Sequence, residues 1–135
     1  MSKPLGFFTN YNPQTRQPDI LNRIQQEWGA HLEYMTYEQK IVMRAALAGF
    51  IAFKPVYQEE GSSISCIDSC IESAGVDWGV WEEDPLLVEV IQKCSSDLSE
   101  SDVEGLIEAL TSQIRSKVYA SRTEEWEVVV VPKGS

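Results

Sequence analysis

An almost uncharged stretch in the first half of the chain constrains the fold more than any other feature. Residues 41 to 53 read IVMRAALAGFIAF, and Arg44 is their only charged side chain. The longest unbroken apolar run, residues 45 to 53, has nine residues, well short of the roughly 20 needed to cross a bilayer. A helix that is apolar on nearly all sides is usually buried in a protein core. We therefore expect this stretch to form the central helix of a bundle.

Apolar residues at helical spacing, together with start and stop signals, predict the other helices and the limits of the central one. Thr36 and Gln39 form a capping box that begins the central helix, and the Lys54-Pro55 pair ends it near Phe53. The other predicted helices are residues 19 to 28 before Gly29, residues 63 to 74 before Gly75, a helix that Asp84 caps with Pro85 at its first position, and a helix from the Ser101 and Glu104 capping box to about Ser121.

The last segment of the chain departs from the helical pattern. In residues 124 to 131, EEWEVVVV, the residues Trp126, Val128 and Val130 alternate with those of the opposite face in a β-branched run that is typical of a strand. A lone strand is not stable by itself, so we expect it to pair with residues 5 to 11 of the N-terminal arm. Pairing with a second chain, which would make a homodimer through this strand, is the alternative.

The predicted fold class is therefore mainly α: a compact bundle of about five helices with a short C-terminal β-strand paired with the N-terminal arm. A length of 135 residues predicts a single domain, residues 1 to 135. Within it we expect an extended arm at 1 to 18, a helical core at 19 to 121, and a strand and tail at 122 to 135. Three cysteines and the lack of an apolar leader favour a soluble cytoplasmic protein.

The negative charge of the chain is concentrated in its second half. The formal net charge is −10, and residues 59 to 108 alone hold fourteen acidic side chains against one basic side chain, Lys93. Direct binding to a nucleic-acid backbone is disfavoured, because such binding requires clustered Lys and Arg. We expect a protein partner with a basic surface, and no contact with a membrane.

The segment SISCIDSC, residues 63 to 70, is the first place to look for chemistry, because two of the three cysteines lie in it. On a helical wheel Cys70 lies among the apolar residues and Cys66 at their edge, so we expect Cys70 to be buried and Cys66 half exposed. Cys66 also lies in the first turn of its helix, where a thiolate is favoured, and is the candidate for a redox role. Its acidic neighbours oppose the thiolate, and packing at the rim of the core is the favoured interpretation.

Metal sites and catalytic motifs find little support in the sequence. A zinc site could be assembled from Cys66, Cys70, Cys94 and His31, but its only close pair has C-x₃-C spacing inside a helix. Residues 97 to 108 match an EF-hand loop at four ligand positions, but they lack its central glycine. The glycines form no nucleotide-binding pattern and no nucleophile elbow. We predict no metal site, no cofactor and no catalytic residue.

The candidate partner-binding residues are Trp78, Trp81, Glu82, Glu83 and Asp84, in the loop VDWGVWEED. Large rings beside dense negative charge favour the anchoring of a basic partner. We therefore hypothesise a small acidic non-enzymatic adaptor or regulatory protein that binds a protein partner through its acidic half. Two alternatives stay open: an enzyme of unrecognised type, and an acidic nucleic-acid mimic that inhibits a DNA- or RNA-binding protein.

Overall fold

The computed structural model describes residues 3–59, 63–75, 79–122 and 128–130, and it is mainly helical, as predicted. Its elements in chain order are α1 Leu5–Phe8, α2 Asp19–Trp28, α3 Tyr37–Glu59, α4 Ser63–Gly75, α5 Val80–Glu83, α6 Pro85–Asp97, α7 Glu100–Arg115, β1 Ala120–Arg122 and β2 Val128–Val130. None of the described helices is both long enough and apolar enough to cross a membrane.

The core forms where α3 meets α4, α6 and α7. On α3 the buried side chains include Val42, Met43, Leu47 and Phe50. Gly49 lets α4 come close to α3, because a Cβ atom at that position would lie only 3.1 Å from the Sγ of Cys70. One face of α3 is therefore buried in the core, as predicted for the central helix.

The other side of α3 is open to solvent, which corrects the expectation that the helix is buried all round. Ala45, Ala48 and Ala52 are exposed, and Phe53 is 56 % exposed. Alanine adds little apolar surface and has the highest helix propensity of all residues. Counting apolar residues therefore does not distinguish a buried face from an alanine-rich exposed one.

The predicted end of α3 at Lys54-Pro55 is also wrong, since the helix continues to Glu59. Proline inside a helix removes the N–H that would bond to the carbonyl four residues earlier, here that of Ile51, and costs about 3 kcal/mol. Phe53, Pro55 and Val56 are exposed, so water can reach this turn and donate to the carbonyl. The helix tolerates the proline on its solvent-facing part.

Capping residues begin α3 and α6 where the sequence predicts. The N–H of Gln39 donates to Thr36 Oγ1 at 3.1 Å, and the N–H of Thr36 donates to Gln39 Oε1 at 2.9 Å, which confirms the capping box. Asp84 caps α6, since its Oδ1 accepts the N–H of Leu87 at 3.2 Å. These side chains satisfy donors that the first turn of a helix leaves without partners.

The fifth predicted helix, observed as α7, begins two residues earlier than the expected capping box at Ser101 and Glu104. Ser99 is the capping residue, and its Oγ accepts the N–H of Asp102 at 3.2 Å. Asp102 is itself buried, and its Oδ1 accepts the N–H of Asn10 at 2.8 Å. One carboxylate thus ties the N-terminal arm to the start of α7.

α7 ends at Arg115, well before the predicted Ser121. Lys117 adopts a left-handed conformation with φ +59°. The N–H of Val118 then donates to the carbonyl of Gln113 at 2.8 Å, and the N–H of Lys117 donates to that of Ile114 at 3.1 Å. This is a Schellman motif, which usually has glycine in the left-handed position. A lysine there gives no warning in the sequence that the helix stops.

The expected pairing between the C-terminal strand and residues 5 to 11 is not observed. Leu5–Phe8 form α1, which packs on α7 with Leu5 fully buried and Phe7 exposed, so the arm joins the bundle as a short helix and not as a strand. β2 instead lies antiparallel to β1, with Ala120 opposite Val130. Trp126 and residues 124 to 127 and 131 of the predicted strand lie outside the described residues.

Candidate functional site

The two cysteines of α4 have the opposite orientation to the one expected from the helical wheel. Cys66 is fully buried, and its thiol points at the carbonyl of Phe50 at 4.0 Å. Cys70 is only partly buried and faces Gly49 of α3. The contact with α3 sets the rotation of α4 and turns Cys66 into the core.

Burial makes all three thiols weak nucleophiles. It raises the pKa of Cys66 and Cys94, and it raises the pKa of Cys70 to about 11. A reactive cysteine requires a lowered pKa and access to solvent. The redox role of Cys66 stays a prediction, and its burial argues against it.

No group of three or more His, Cys, Asp and Glu side chains lies close enough to hold a metal ion within the described ranges. The zinc site considered above would need Cys66, Cys70, Cys94 and His31 together. The Asp97 and Glu108 positions of the EF-hand match lie at the end of α6 and inside α7, with only a short connection between the helices. Among the described residues, neither the four residues of the zinc set nor the EF-hand positions come together as a metal site.

The predicted loop is seen in part. Trp78 and the side chain of Trp81 lie outside the described residues, whereas Glu82 and Glu83 are exposed in the short helix α5. Asp84 is engaged within the fold. Its Oδ1 caps α6, and its Oδ2 accepts the amide of Gln39 at 2.8 Å. Glu82 and Glu83 thus present their carboxylates to solvent, while Asp84 fixes the start of α6 against that of α3.

A row of three carboxylates on α7 extends the acidic surface. Glu100, Glu104 and Glu108 are four residues apart and all exposed, so successive Cα atoms rise by about 6 Å along one side of the helix. We call these three residues the α7 acidic row. Their four-residue spacing is readable in the sequence, although the predicted site did not include them.

A groove of about 470 Å³ runs between the α7 acidic row and α1. Phe8, Gly105 and Ile107 line it together with Glu104 and Glu108. Phe7, beside Phe8 in α1, is 64 % exposed and packs edge-on against the Phe8 ring with centroids 5.0 Å apart. Aromatic rings and carboxylates therefore meet here on well-defined helices, the combination that the sequence predicted for the tryptophan loop.

Lys40 is a buried amine that the sequence interpretation missed. Its side chain has no exposed surface, and its Nζ donates to Gln113 Oε1 at 2.8 Å and to the Val118 carbonyl at 2.5 Å. Burial lowers the pKa of Lys40 to about 7, although the carboxylate of Glu33 opposes this shift. The available signal was the helical spacing, because Lys40 lies three residues before the buried Met43.

A second groove, of about 450 Å³, lies between α3 and α4. Ala45, Gly49 and Phe53 line it on α3, and Ser69 and Cys70 lie on the α4 side. Among the described residues that line the groove, none has a charged side chain. The raised pKa of Cys70 makes the one thiol among these described lining residues a weak nucleophile.

Comparisons with protein-family models, with curated proteins and with solved structures find no match to this chain.

Proposed function

We propose that this protein is a small acidic non-enzymatic adaptor or regulatory protein that binds a basic protein surface through its acidic half. The α7 acidic row and the groove beside α1 form one part of the binding surface. Glu82 and Glu83, with the tryptophans of their loop, form the other.

The observation that carries the proposal is that the negative charge of the acidic half is exposed and has almost no cation within the fold. Within the described ranges, one ion pair is found, between Glu89 and Arg23 at 3.2 Å. Exposed pairs of this kind contribute little to stability. Among the described residues from 63 onwards, the exposed acidic side chains are Glu72, Glu82, Glu83, Glu89, Asp97, Glu100, Glu104 and Glu108.

The α7 acidic row also has a cost within the helix. Carboxylates four residues apart on a helix repel each other, and two such pairs occur from Glu100 to Glu108. Solubility would be served as well by dispersed charge of both signs. A basic partner would relieve this repulsion, and the relief would favour binding. The acidic row therefore serves a complex better than it serves the isolated monomer.

The rings beside the row provide the second component of a binding surface. Charge complementarity mainly raises the association rate and selects the partner, whereas buried aromatic side chains usually supply most of the affinity. Phe7 is the most exposed large apolar side chain among the described residues and stands next to Phe8 in the groove. We expect a partner to bring lysines or arginines to Glu104 and Glu108 and an apolar side chain to Phe7.

The test is partner capture with two variants of equal charge. Glu104→Gln with Glu108→Gln removes two carboxylates from the groove, and Glu27→Gln with Glu38→Gln removes two exposed carboxylates from the first half of the chain. Each variant changes the net charge by the same amount. The wild type and the control should retain the same basic protein, and the groove variant should retain much less of it. Equal retention by both variants would contradict the proposal for this surface.

The same capture distinguishes an adaptor from a nucleic-acid mimic. Duplex DNA or RNA added as competitor should displace the partner only if the acidic half occupies a nucleic-acid-binding groove. We expect the partner to stay bound at a competitor concentration that saturates its own nucleic-acid site.

A further inference from the structure

Lys40 connects the start of α3 to the segment that follows α7. Residues 118 to 122, here called the C-terminal segment, lie against the loop before α3. The Val118 carbonyl accepts the Lys40 amine at 2.5 Å, and the N–H of Ala120 donates to the Met35 carbonyl at 2.7 Å. Thr36 forms a parallel bridge with Ala120. The bond from Ala120 to Met35 is part of this bridge, so the segment is held at two neighbouring points, Val118 and Ala120. Lys40 provides the contact that can change its charge.

The surroundings of Lys40 are poor in compensating charge. From α7 it meets Gln113, which is neutral, and from the C-terminal segment it meets the neutral carbonyl of Val118. From the loop before α3 the carboxylate of Glu33 acts on it at a distance, without forming an ion pair in the described part of the chain. The Nε2 of Gln113 is also buried and has no hydrogen-bond partner among the described residues. An ammonium group in such a place is strongly disfavoured relative to water.

We propose that Lys40 is a proton-controlled latch for the C-terminal segment: the neutral amine keeps residues 118 to 122 docked, and its protonation favours their release. Release would carry the Val118 carbonyl away and let water reach the ammonium group. Residues 120 to 122 form β1, which pairs with β2, so the latch would regulate how this strand pair is presented.

The direction and size of the effect follow from proton linkage. In the docked state burial lowers the pKa of Lys40 from its ordinary value of 10.5 to about 7, and in the released state the amine returns to water. The released state therefore binds the proton more readily between these values. The released fraction should fall by close to tenfold for each unit of pH between about 8 and 10, and it should be about 50-fold smaller at pH 9 than at pH 7, where the docked amine is half protonated. Below pH 7 both states are protonated and the dependence disappears.

Hydrogen exchange of the Ala120 amide measures the release directly, because this N–H is bonded to the Met35 carbonyl only in the docked state. The chemical exchange rate of an open amide rises with pH and offsets the falling released fraction. The observed rate at Ala120 should therefore level off above pH 7. The amide of Leu98 is bonded to the Cys94 carbonyl at the end of α6. Its exchange rate should keep rising with pH, because opening at Leu98 does not expose Lys40.

Two variants complete the test: Lys40→Met, which cannot titrate, and Lys40→Gln, which also cannot titrate but keeps a donor for the buried carbonyl groups. In a folded variant the rate at Ala120 should rise through pH 9 without levelling off. The proposal is overturned if the wild-type rate at Ala120 rises like that at Leu98, or if levelling persists in the variants. It is also overturned if Ala120 exchanges as slowly as the core amide of Leu47, because opening would then be global.

Discussion

Replacing Gly105 with alanine tests the docking of α1 on α7, on which the proposed groove depends. A Cβ atom at this position would lie 2.1 Å from the carbonyl oxygen of Phe8 and 3.3 Å from the Cγ2 of Thr9. Carbon and oxygen atoms that are not bonded rarely approach within about 3.3 Å. The obstacle is backbone, so no side chain can rotate away. α1 must therefore move off α7 by about 1 Å or more.

The loss of stability can be worked out from the contacts that hold α1. Moving α1 would weaken or break the hydrogen bond from the Asn10 N–H to the buried carboxylate of Asp102, which is 2.8 Å long. A hydrogen bond to a charged group contributes about 1.5–3 kcal/mol. It also exposes Leu5, whose full burial contributes about 1.5–3 kcal/mol. Alanine recovers about 1 kcal/mol through its higher helix propensity. We expect the free energy of unfolding to fall by about 2–5 kcal/mol for Gly105→Ala.

Urea unfolding followed by circular dichroism measures this change. With a slope of about 1.5 kcal/mol per molar urea, the midpoint should fall by more than about 1 M. Gly49→Ala is the matched control, because its Cβ would meet the movable thiol of Cys70 at 3.1 Å; we expect a change within about 1 kcal/mol of zero. A Gly105→Ala protein as stable as the wild type, or more stable, would refute the close approach of α1 and α7.

Three further substitutions or modifications probe other contacts. Lys117→Gly should raise the free energy of unfolding by about 0.5–1 kcal/mol, because glycine removes the cost of the left-handed conformation; a lower melting temperature would count against the observed end of α7. Under native conditions iodoacetamide should label Cys70 before Cys66 and Cys94, as followed by peptide mass, and faster labelling of Cys66 would restore the orientation expected from the helical wheel. Asp84→Ala should cost about 1–3 kcal/mol in urea unfolding through the lost cap and its bond to Gln39, and an unchanged midpoint would show that the cap is dispensable.

The starts of α3 and α6 were predictable because their signals are local. The capping pair Thr36 and Gln39 and the cap at Asp84 depend on atoms within three residues of each other in sequence. The two helix ends that were wrong lack such signals. Lys117 occupies a position usually held by glycine, and Pro55 lies on an exposed turn that water can reach. Both cases depend on a conformation or an exposure that residue type alone does not specify.

The buried positions depend on contacts that are distant in sequence. Lys40 is buried because Gln113 and Val118, 73 and 78 residues away, accept its amine. Cys66 and Cys70 are four residues apart, so a small rotation of α4 decides which of them is covered. That rotation is set by the approach of α4 to Gly49. No pattern within α4 contains this information.

The candidate site was predictable only as charge. The exposure of Glu82 and Glu83 agrees with the expected acidic loop, and the spacing of the α7 acidic row can be read directly from the sequence. The ring beside that row could not be foreseen. Phe8 reaches α7 because the arm folds as α1 and is fixed by the bond between Asn10 and Asp102, 92 residues apart.

The most direct test of the proposed function is the salt dependence of binding between the purified protein and its captured partner. Exposed charges are screened over about 8 Å at physiological ionic strength, and screening mainly slows association. Between 0.05 and 0.5 M NaCl we expect the association rate to fall at least tenfold, with a much smaller change in the dissociation rate. Glu104→Gln with Glu108→Gln should flatten this dependence, and Glu27→Gln with Glu38→Gln should leave it as in the wild type. An affinity that stays constant across this salt range, for the wild type and both variants alike, would contradict binding through the acidic half.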